Sequence, residues 1–539
     1  MKNEFLIIKD LIKSRIHTSA DLVSFKRKIS KKYKILYPSN IQLLKAYHRL
    51  LKDKRIKKVE KIENLLKTRP VRSLSGIVNV SVLTSPKPKW SNKQFLSCPG
   101  KCIYCPKEQG IPKSYLAGEP AVERAKNLNY NPYLQVKKRI EMLKAQGHPT
   151  DKIDLRIIGG TWSFYPKRYQ CWFIKRCFDA CNEKTSKTLF ASQKLNEKAK
   201  HRIIGISIET RPDFINKEEI KRMRKLGITK VELGIQSIYD NVLTITLRGH
   251  NVKEIKKATK LLKDAGFKVS YQVMPNLPGS TPKKDVEMFE KLFKDSGFKP
   301  DLLKIYPCAL LKEAPLYKWY LKGKYKPYSQ TTLINIIKEA KKKIPYYVRI
   351  ERITRDIPSP RIIIGPTKIS NLRQVVEQEI KKEGWKCKCI RCREVKDKYN
   401  LKEKVYLYRE DYDASEGKEI FLSFENKKRE KLYSLLRLRI PSFVYNISEK
   451  ESLMFPVLKD STIIREVHTY GQLTPISKRK LAPQHRGLGK KLINIAEKIT
   501  KKEFGLRKIA VISAVGVRDY YRKLGYRLKD TYMIKHLKS

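Results

Sequence analysis

Cys98-Pro99-Gly100-Lys101-Cys102-Ile103-Tyr104-Cys105 places three of the chain's ten cysteines within eight residues. A tetrahedral zinc site takes four protein ligands, and this stretch supplies three. Three thiolates can instead hold three irons of a [4Fe–4S] cube and leave the fourth iron open, as a reaction site rather than an electron store. Pro99-Gly100 forces a loop that lets the sulfurs wrap around a cluster. The competing readings are three unrelated buried thiols, or half of a zinc site. No fourth Cys or His stands nearby in sequence, which favours the cluster.

On either side of this loop the chain alternates short apolar runs with helical periods. Strands are predicted over 77–83, 154–158, 203–210, 230–237, 269–274 and 302–306, with helices such as 217–226 and 252–265 between them. Strand–helix alternation implies a parallel sheet of the α/β class, and six units make a partial (β/α)6 barrel. In that architecture the active site lies on loops beyond the strands' C-terminal ends, so the cysteine loop falls on the active face. Gly159, Gly160 and Thr161 follow the second strand, Glu209 and Arg211 the third, Gln236 the fourth and Asn276 the fifth, while Lys304 lies on the sixth. Each is weak alone, since Gly-Gly is usually a turn and a strand-end Glu a surface charge. Their repeated placement makes them candidates for holding a small-molecule cofactor. Cys171, Cys177 and Cys181 fall on an amphipathic helix and are expected in the core.

The formal net charge is +66, with 119 Lys and Arg against 53 Asp and Glu. Such an excess points to a polyanionic partner, nucleic acid above all. Adaptation to salt or heat is the plainer alternative, but heat adaptation enriches Glu together with Lys. The basic excess is steep in 1–74, a predicted helical module with apolar stripes at Ile7, Ile8, Leu11 and Ile12 and at Leu43, Leu44, Tyr47, Leu50 and Leu51. Lys52, Lys54, Arg55, Lys57 and Lys58 form its candidate nucleic-acid face, against the bland reading of a solvated surface. Cysteines clustered in two groups suggest a reducing cytoplasm rather than a disulfide scaffold. No apolar run is long enough for a membrane span, and Leu6-Ile7-Ile8 is too short for a signal peptide.

The barrel is expected over 75–365. A linker over 366–400 carries a second cluster, Cys387, Cys389 and Cys392, read as a zinc site whose fourth ligand could be a His or Cys308. From 401 to 539 the pattern changes to a meander of strands, then Gln484-His485-Arg486-Gly487-Leu488-Gly489 opening a helix, then Tyr520-Tyr521 and Gly525-Tyr526. Backbone N–H groups at such a helix start can cradle a pyrophosphate.

Cys98-x-x-x-Cys102-x-x-Cys105 resembles the motif of radical S-adenosylmethionine (SAM) enzymes. Gln484–Gly489 with the tyrosine pair resembles the acetyl-CoA core of Gcn5-related N-acetyltransferases. Both together resemble the catalytic subunit of Elongator, with support from Met274-Pro275-Asn276-Leu277-Pro278-Gly279, Arg355-Asp356-Ile357-Pro358 and Arg465-Glu466-Val467-His468-Thr469-Tyr470-Gly471. The three-residue first cysteine gap is that of ordinary radical SAM enzymes. The Cys387 cluster, absent from many relatives, suggests a simpler, prokaryote-like form.

That resemblance implies an enzyme carboxymethylating carbon 5 of the wobble uridine of tRNA, with acetyl-CoA as carbon donor and SAM on the open iron. It implies a partial radical SAM barrel followed by a mixed α/β acetyltransferase domain. It further implies contact with the tRNA anticodon stem-loop, and assembly either with Elongator-like partners or as a homodimer. Lys304 and Tyr521 would be catalytic, with Tyr521 favoured over Tyr520 to face the thioester; core packing is the ordinary alternative for the pair. The rival function is a protein lysine acetyltransferase with a structural iron–sulfur cluster. Weaker rivals are a nucleic-acid-binding scaffold and a radical SAM enzyme of different outcome.

Overall fold

The computed structural model describes residues 2–14, 16–91, 97–369, 371–396, 403–471 and 487–538. Seven parallel strands form one sheet in sequential order: β1 (Val78–Leu83), β2 (Lys152–Ile158), β3 (Arg202–Thr210), β4 (Lys230–Gln236), β5 (Lys268–Val273), β6 (Leu302–Ile305) and β7 (Arg349–Arg352). The six expected units are present, and β7 adds a seventh strand beside β6. Its four residues are too few and too charged to register as an apolar run. β1 and β7 do not pair with each other, so the sheet is an open barrel.

β4 is buried along its whole length although it carries Lys230 and Glu232. The barrel interior is therefore ionic in part. Lys230 Nζ lies 2.9 Å from Glu351 Oε1 and 3.2 Å from Glu232 Oε1, and Arg156 Nη2 lies 3.4 Å from Glu351. Opposite charges at hydrogen-bonding distance offset the desolvation that each would suffer alone.

A second sheet, in the order β13-β14-β12-β11-β10-β9-β8, contains β8 (Tyr406–Ala414), β9 (Gly417–Glu425), β10 (Leu432–Ile440), β11 (Thr462–Thr469), β12 (Lys508–Val511), β13 (Arg527–Lys529) and β14 (Tyr532–His536). The expected meander is β8-β9-β10-β11, antiparallel throughout. β11 and β12 run parallel and pair only over Thr462–Ile464 with Ile509–Val511; the helix Leu488–Lys502 connects them. A bulge leaves Arg465 without a β10 partner. A bulge re-aims its side chain, and the Arg465 guanidinium reaches Asp301 beside the first sheet, with Nη1 3.0 Å from Oδ1, and also Glu419 at 2.8 Å. The two sheets share one hydrophobic core.

The N-terminal helices Lys2–Lys13, Ser19–Lys32, Asn40–Lys52 and Glu60–Leu66 enclose a separate small core. Thr18 and Ser39 close capping boxes with Asp21 and Gln42, which fixes where two of these helices begin. Ile7, Ile8, Leu11, Leu43, Leu44, Tyr47 and Leu50 are buried as the stripes require, and Ile12 and Leu51 partly so. Among the described residues no helix is long and apolar enough to cross a membrane. Cys177 and Cys181 are core, but Cys171 is exposed: the helix Lys167–Asn182 turns that thiol away from the buried stripe.

Candidate active site

The cysteine loop follows β1 and lies over the C-terminal ends of the strands. Cys102, Ile103 and Tyr104 are buried against Val242, Leu277 and Leu316. Ile103 N donates to Thr246 O at 3.2 Å, and its carbonyl accepts from Leu316 N at 2.8 Å. A Cβ on Gly100 would lie 3.5 Å from both Cys98 Sγ and Cys102 Sγ, so those sulfurs flank a bare backbone. Polar groups then address the sulfurs. Thr161 Oγ1 donates to Cys98 Sγ at 3.1 Å, and Arg248 Nη1 to Cys102 Sγ at 3.5 Å. Burial raises the Cys102 thiol, but Arg248 and Arg211 outweigh it and hold its pKa below the ordinary value. Cys105, half-buried, is pushed up to about 12 by desolvation and by the neighbouring Cys102 and Cys98 sulfurs.

Zn–S bonds of about 2.3 Å put tetrahedral thiolates about 3.8 Å apart. Among the described residues, only Cys387, Cys389 and Cys392 have three ligand atoms all within 4.8 Å of one another. That set suits one metal ion, whereas the three sulfurs of the first loop are not gathered that closely. Lys341 Nζ stands 3.8 Å from Cys392 Sγ, and Cys389 is held well below the usual thiol range by hydrogen bonds from Cys387 and Cys392. Cys308 is not the fourth ligand: it packs with Cys102 and Tyr325 beneath the first loop.

A cavity of about 680 Å³, lined by Tyr104 and Cys105, opens beside the loop and descends into the barrel. Glu209, Gln236 and Lys304 line it. Glu209 is shared: one oxygen accepts from Tyr115 Oη at 2.8 Å, the other from Gln272 Nε2 at 3.1 Å and Lys304 Nζ at 3.4 Å. Lys304 also pairs with Glu232. Burial disfavours its charge, but Glu232, Tyr306 and Glu209 outweigh that and raise its pKa, so Lys304 is a held cation rather than a base.

Other predicted residues serve the scaffold. A Cβ on Gly160 would meet Ser97 O at 2.3 Å, and one on Gly159 would meet Thr84 Oγ1 at 2.2 Å. The pair lets the loop after β2 press against the cysteine loop, where the sequence suggested close approach to a ligand. Asn276 is 1% exposed and bonds Cys308 O and Tyr328 N, which turns its side chain to ordering its own loop instead of a ligand. Arg211 is bidentate on Asp213 and donates to Gly249 O at 2.9 Å, behind the cysteine loop.

In the second sheet, Gln484, His485 and Arg486 lie outside the described residues. Gly487 takes φ +69 at the helix start and precedes Leu488, which is buried. A Cβ on Gly489 would approach Tyr520 Oη at 3.4 Å, Thr469 Oγ1 at 3.5 Å and Val467 Cγ1 at 3.6 Å. The helix start therefore abuts β11 and Tyr520. Tyr521 is 6% exposed and packs edge-on against Tyr526, whereas Tyr520 is 42% exposed. Contrary to the expectation from sequence, Tyr520 rather than Tyr521 stands at the helix start, because residue 521 falls on the core-facing side of the short helix Arg518–Arg522.

β11 joins the two regions. His468 Nε2 lies 2.9 Å from Ser75 O, and Tyr470 Oη accepts from Arg349 Nη1 at 3.4 Å; Ser75 and Arg349 both line the cavity. Arg248, Tyr115, Gln272 and Glu232 escaped the sequence reading. Arg248 lies after a short helix instead of at a strand end, and the others are single polar letters within apolar runs or loops. Lys52, Lys54, Arg55, Lys57 and Lys58 are exposed around the end of Asn40–Lys52, with Lys58 3.0 Å from Glu63.

Residues 95–292 match the radical SAM superfamily, and residues 300–382 its C-terminal domain. A tRNA uridine(34) acetyltransferase of Methanocaldococcus infernus is 45% identical over 516 residues, 93% of this chain and 92% of that protein. Elongator complex protein 3 of Homo sapiens is 37% identical, over 99% of this chain and 97% of that one. The solved structure of the archaeal Methanocaldococcus infernus Elp3 with an N-terminal deletion superposes with a TM-score of 0.73 at 42% identity, covering 86% of this chain and all of that one. The chain is thus a radical SAM enzyme that belongs to the family of tRNA uridine(34) acetyltransferases and Elongator complex protein 3.

Proposed function

We propose that the chain modifies the wobble uridine of tRNA, attaching at carbon 5 a carboxymethyl group drawn from acetyl-CoA. The observation that carries this reading is the single cavity running from Cys105 past Lys304 to Ser75 and Arg349, residues held by the strand against which the acetyltransferase-type helix starts. Cys98, Cys102 and Cys105 would hold a [4Fe–4S] cluster, which with SAM supplies a carbon radical able to take hydrogen from an unactivated methyl group. Thr161 and Arg248 orient the sulfurs, while Glu209 and Gln236 offer polar groups to a small molecule beside them. Lys304, kept protonated by Glu232 and Glu209, draws charge toward the thioester carbonyl. Gly487 to Gly489 would receive the acetyl-CoA pyrophosphate, with Tyr520 beside it.

On this reading residues 1–74 bind tRNA, 75–365 form the radical domain, 366–400 a linker stapled by zinc at Cys387, Cys389 and Cys392, and 401–539 the acetyl-CoA domain. The setting is cytoplasmic, and the polyanion implied by the net charge is the anticodon stem-loop. A base in a folded loop must be splayed out to enter such a cavity.

The test is one anaerobic reaction with reconstituted iron and sulfide, dithionite, SAM, labelled acetyl-CoA and tRNA. Label on uridine together with 5′-deoxyadenosine is expected. Acetyl-lysine on a peptide with no modified uridine would sink the proposal and favour the rival acetyltransferase.

A further inference from the structure

Four of the nine arginines that line the cavity are neutralised. Arg156 pairs with Asp154 and Glu351, Arg349 with Glu394, Arg352 with Asp356 and Arg355 with Glu119. Among the described residues five are not: Arg391, and four that lie close enough to repel one another. Arg69 and Arg72 lie in the segment leading from the N-terminal helices to β1, Arg124 on Pro120–Lys126 and Arg139 on Pro132–Ala145, and all four line the cavity that reaches Cys105. Among the described residues none of them forms an ion pair with a carboxylate. Arg72 Nη1 donates to Gln146 Oε1 at 2.6 Å, and Arg139 Nη1 reaches only Met142 Sδ at 3.8 Å. Arg139 Nε is buried with no partner among the described residues.

Like charges converging without an anion repel, and burial raises the cost. The effect shows in Arg139, which burial and then Arg124, Arg72 and Arg69 lower to about 10. Arg69 also takes φ +51 and ψ +62 immediately before Pro70, a left-handed conformation unfavourable both for a side chain and for a residue preceding proline. Two independent costs, one electrostatic and one in the backbone, thus fall on one small region.

We propose that Arg69, Arg72, Arg124 and Arg139 form a clamp for the phosphodiesters flanking the splayed uridine, which position the base toward Cys105. This rests on the uridine-modification reading and adds the part of the substrate that fixes its register. Guanidinium forks match phosphate oxygens, and phosphate contacts set position while the base is read elsewhere. The clamp and the cysteine loop share one cavity, so phosphates held at the arginines leave the base to extend inward.

The test uses the full-length chain with its cluster reconstituted and an anticodon stem-loop carrying the target uridine. One stem-loop is unmodified; others carry a single neutral methylphosphonate linkage on the 5′ or the 3′ side of that uridine. R124Q and R139Q should each weaken binding of the unmodified stem-loop and lower the slope of log K against log salt by about 1. At least one methylphosphonate should cost wild type a similar factor, and the two losses should not add when combined. Because the RNA substitution leaves the protein intact, a variant that folds poorly does not decide the outcome. Fully additive losses, or no loss from either linkage, overturn the clamp. So does a variant that weakens CoA binding while stem-loop affinity and slope stay fixed, since the arginines would then serve a small phosphate ligand. Wild-type protein that binds the stem-loop but leaves uridine unmodified, by mass spectrometry of the nucleosides, counts against the parent reading alone.

Discussion

Lys263→Met should stabilise the protein at neutral pH, although it removes a charge from the ionic network between the two sheets. The lysine side chain is 0% exposed; its Nζ lies 3.7 Å from Glu419 and 3.9 Å from Asp301, and it makes no hydrogen bond among the described residues. Burial, only partly offset by Glu419 and Asp301, lowers its pKa to about 8. Against the ordinary lysine value of about 10.4, the charged form costs folding about 3 kcal/mol. The sign follows from proton counting. Below about pH 8 lysine is charged in both states and the whole cost is present; between about 8 and 10.4 the unfolded chain holds a proton that the folded chain has released, so the cost fades as pH rises. The gain from Lys263→Met is therefore greatest at pH 7 and gone by about pH 10.4. Arg465→Met gives the opposite sign. That guanidinium makes two 2.8 Å bonds to Glu419, binds Asp301 and donates to Phe267 O at 2.5 Å, so its loss leaves Glu419 to Arg439 at 3.2 Å and Asp301 to Arg437 at 3.6 Å, at about 3–5 kcal/mol. Urea unfolding at pH 7 and pH 9.5, followed by near-ultraviolet circular dichroism, measures both. A Lys263→Met midpoint that falls at pH 7, or a shift equal at the two pH values, would refute the reasoning.

Cys102→Ser should abolish the cluster's visible absorption and 5′-deoxyadenosine formation while leaving stem-loop affinity intact; continued uridine modification would remove the cluster assignment. Arg248→Gln deletes a charged donor to Cys102 Sγ and should make the cluster's midpoint potential more negative in an EPR-monitored redox titration, whereas an unchanged midpoint assigns Arg248 to the scaffold alone. Cys389→Ser should lose one equivalent of zinc per chain by elemental analysis and lower the melting temperature, and retained zinc would rule the trio out as its ligands. Replacing Lys52, Lys54 and Lys57 with Gln should flatten the salt dependence of tRNA binding by about 1 per lost contact; an unaltered slope detaches this face from the RNA.

The six strand positions were readable because Val, Ile and Leu dominate them and a glycine or proline commonly follows, as Gly159 follows β2 and Pro307 follows Ile305 and Tyr306. β7 was not, since Arg349, Glu351 and Arg352 occupy three of its four positions and the burial of Glu351 depends on Arg156 of β2 and Lys230 of β4. Local chemistry was equally legible: cysteine spacing depends on the loop itself. The roles of Gly159, Gly160, Asn276 and Tyr521 were harder to read. Each depends on packing that the local letters do not show: Gly159 on Thr84, Gly160 on Ser97, Asn276 on Cys308 and Tyr328, and Tyr521 on the side of its short helix that meets Tyr526. The arginine cluster was unreadable for the same reason, being drawn from three separate segments whose convergence exists only in the fold.

The bulge at Arg465 connects the stability of the sheet interface to the proposed chemistry. Up to Ile464, β11 is paired on both edges, with β10 and with β12; beyond it the β12 pairing stops while β10 continues to Thr469. The described pairing with β12 ends next to Arg465, whose guanidinium is tied to Asp301. Val467 and Thr469 then approach Gly489 and the helix start, while His468 bonds Ser75 at the cavity wall, as alternation along a strand requires. On the proposed reading, a cofactor arm at that helix start would have the cavity on the other side of a single strand. The bulge thus sits between two uses of one strand: Arg465 ties it to Asp301, and from Val467 onward it meets the helix start on one side and the cavity wall on the other.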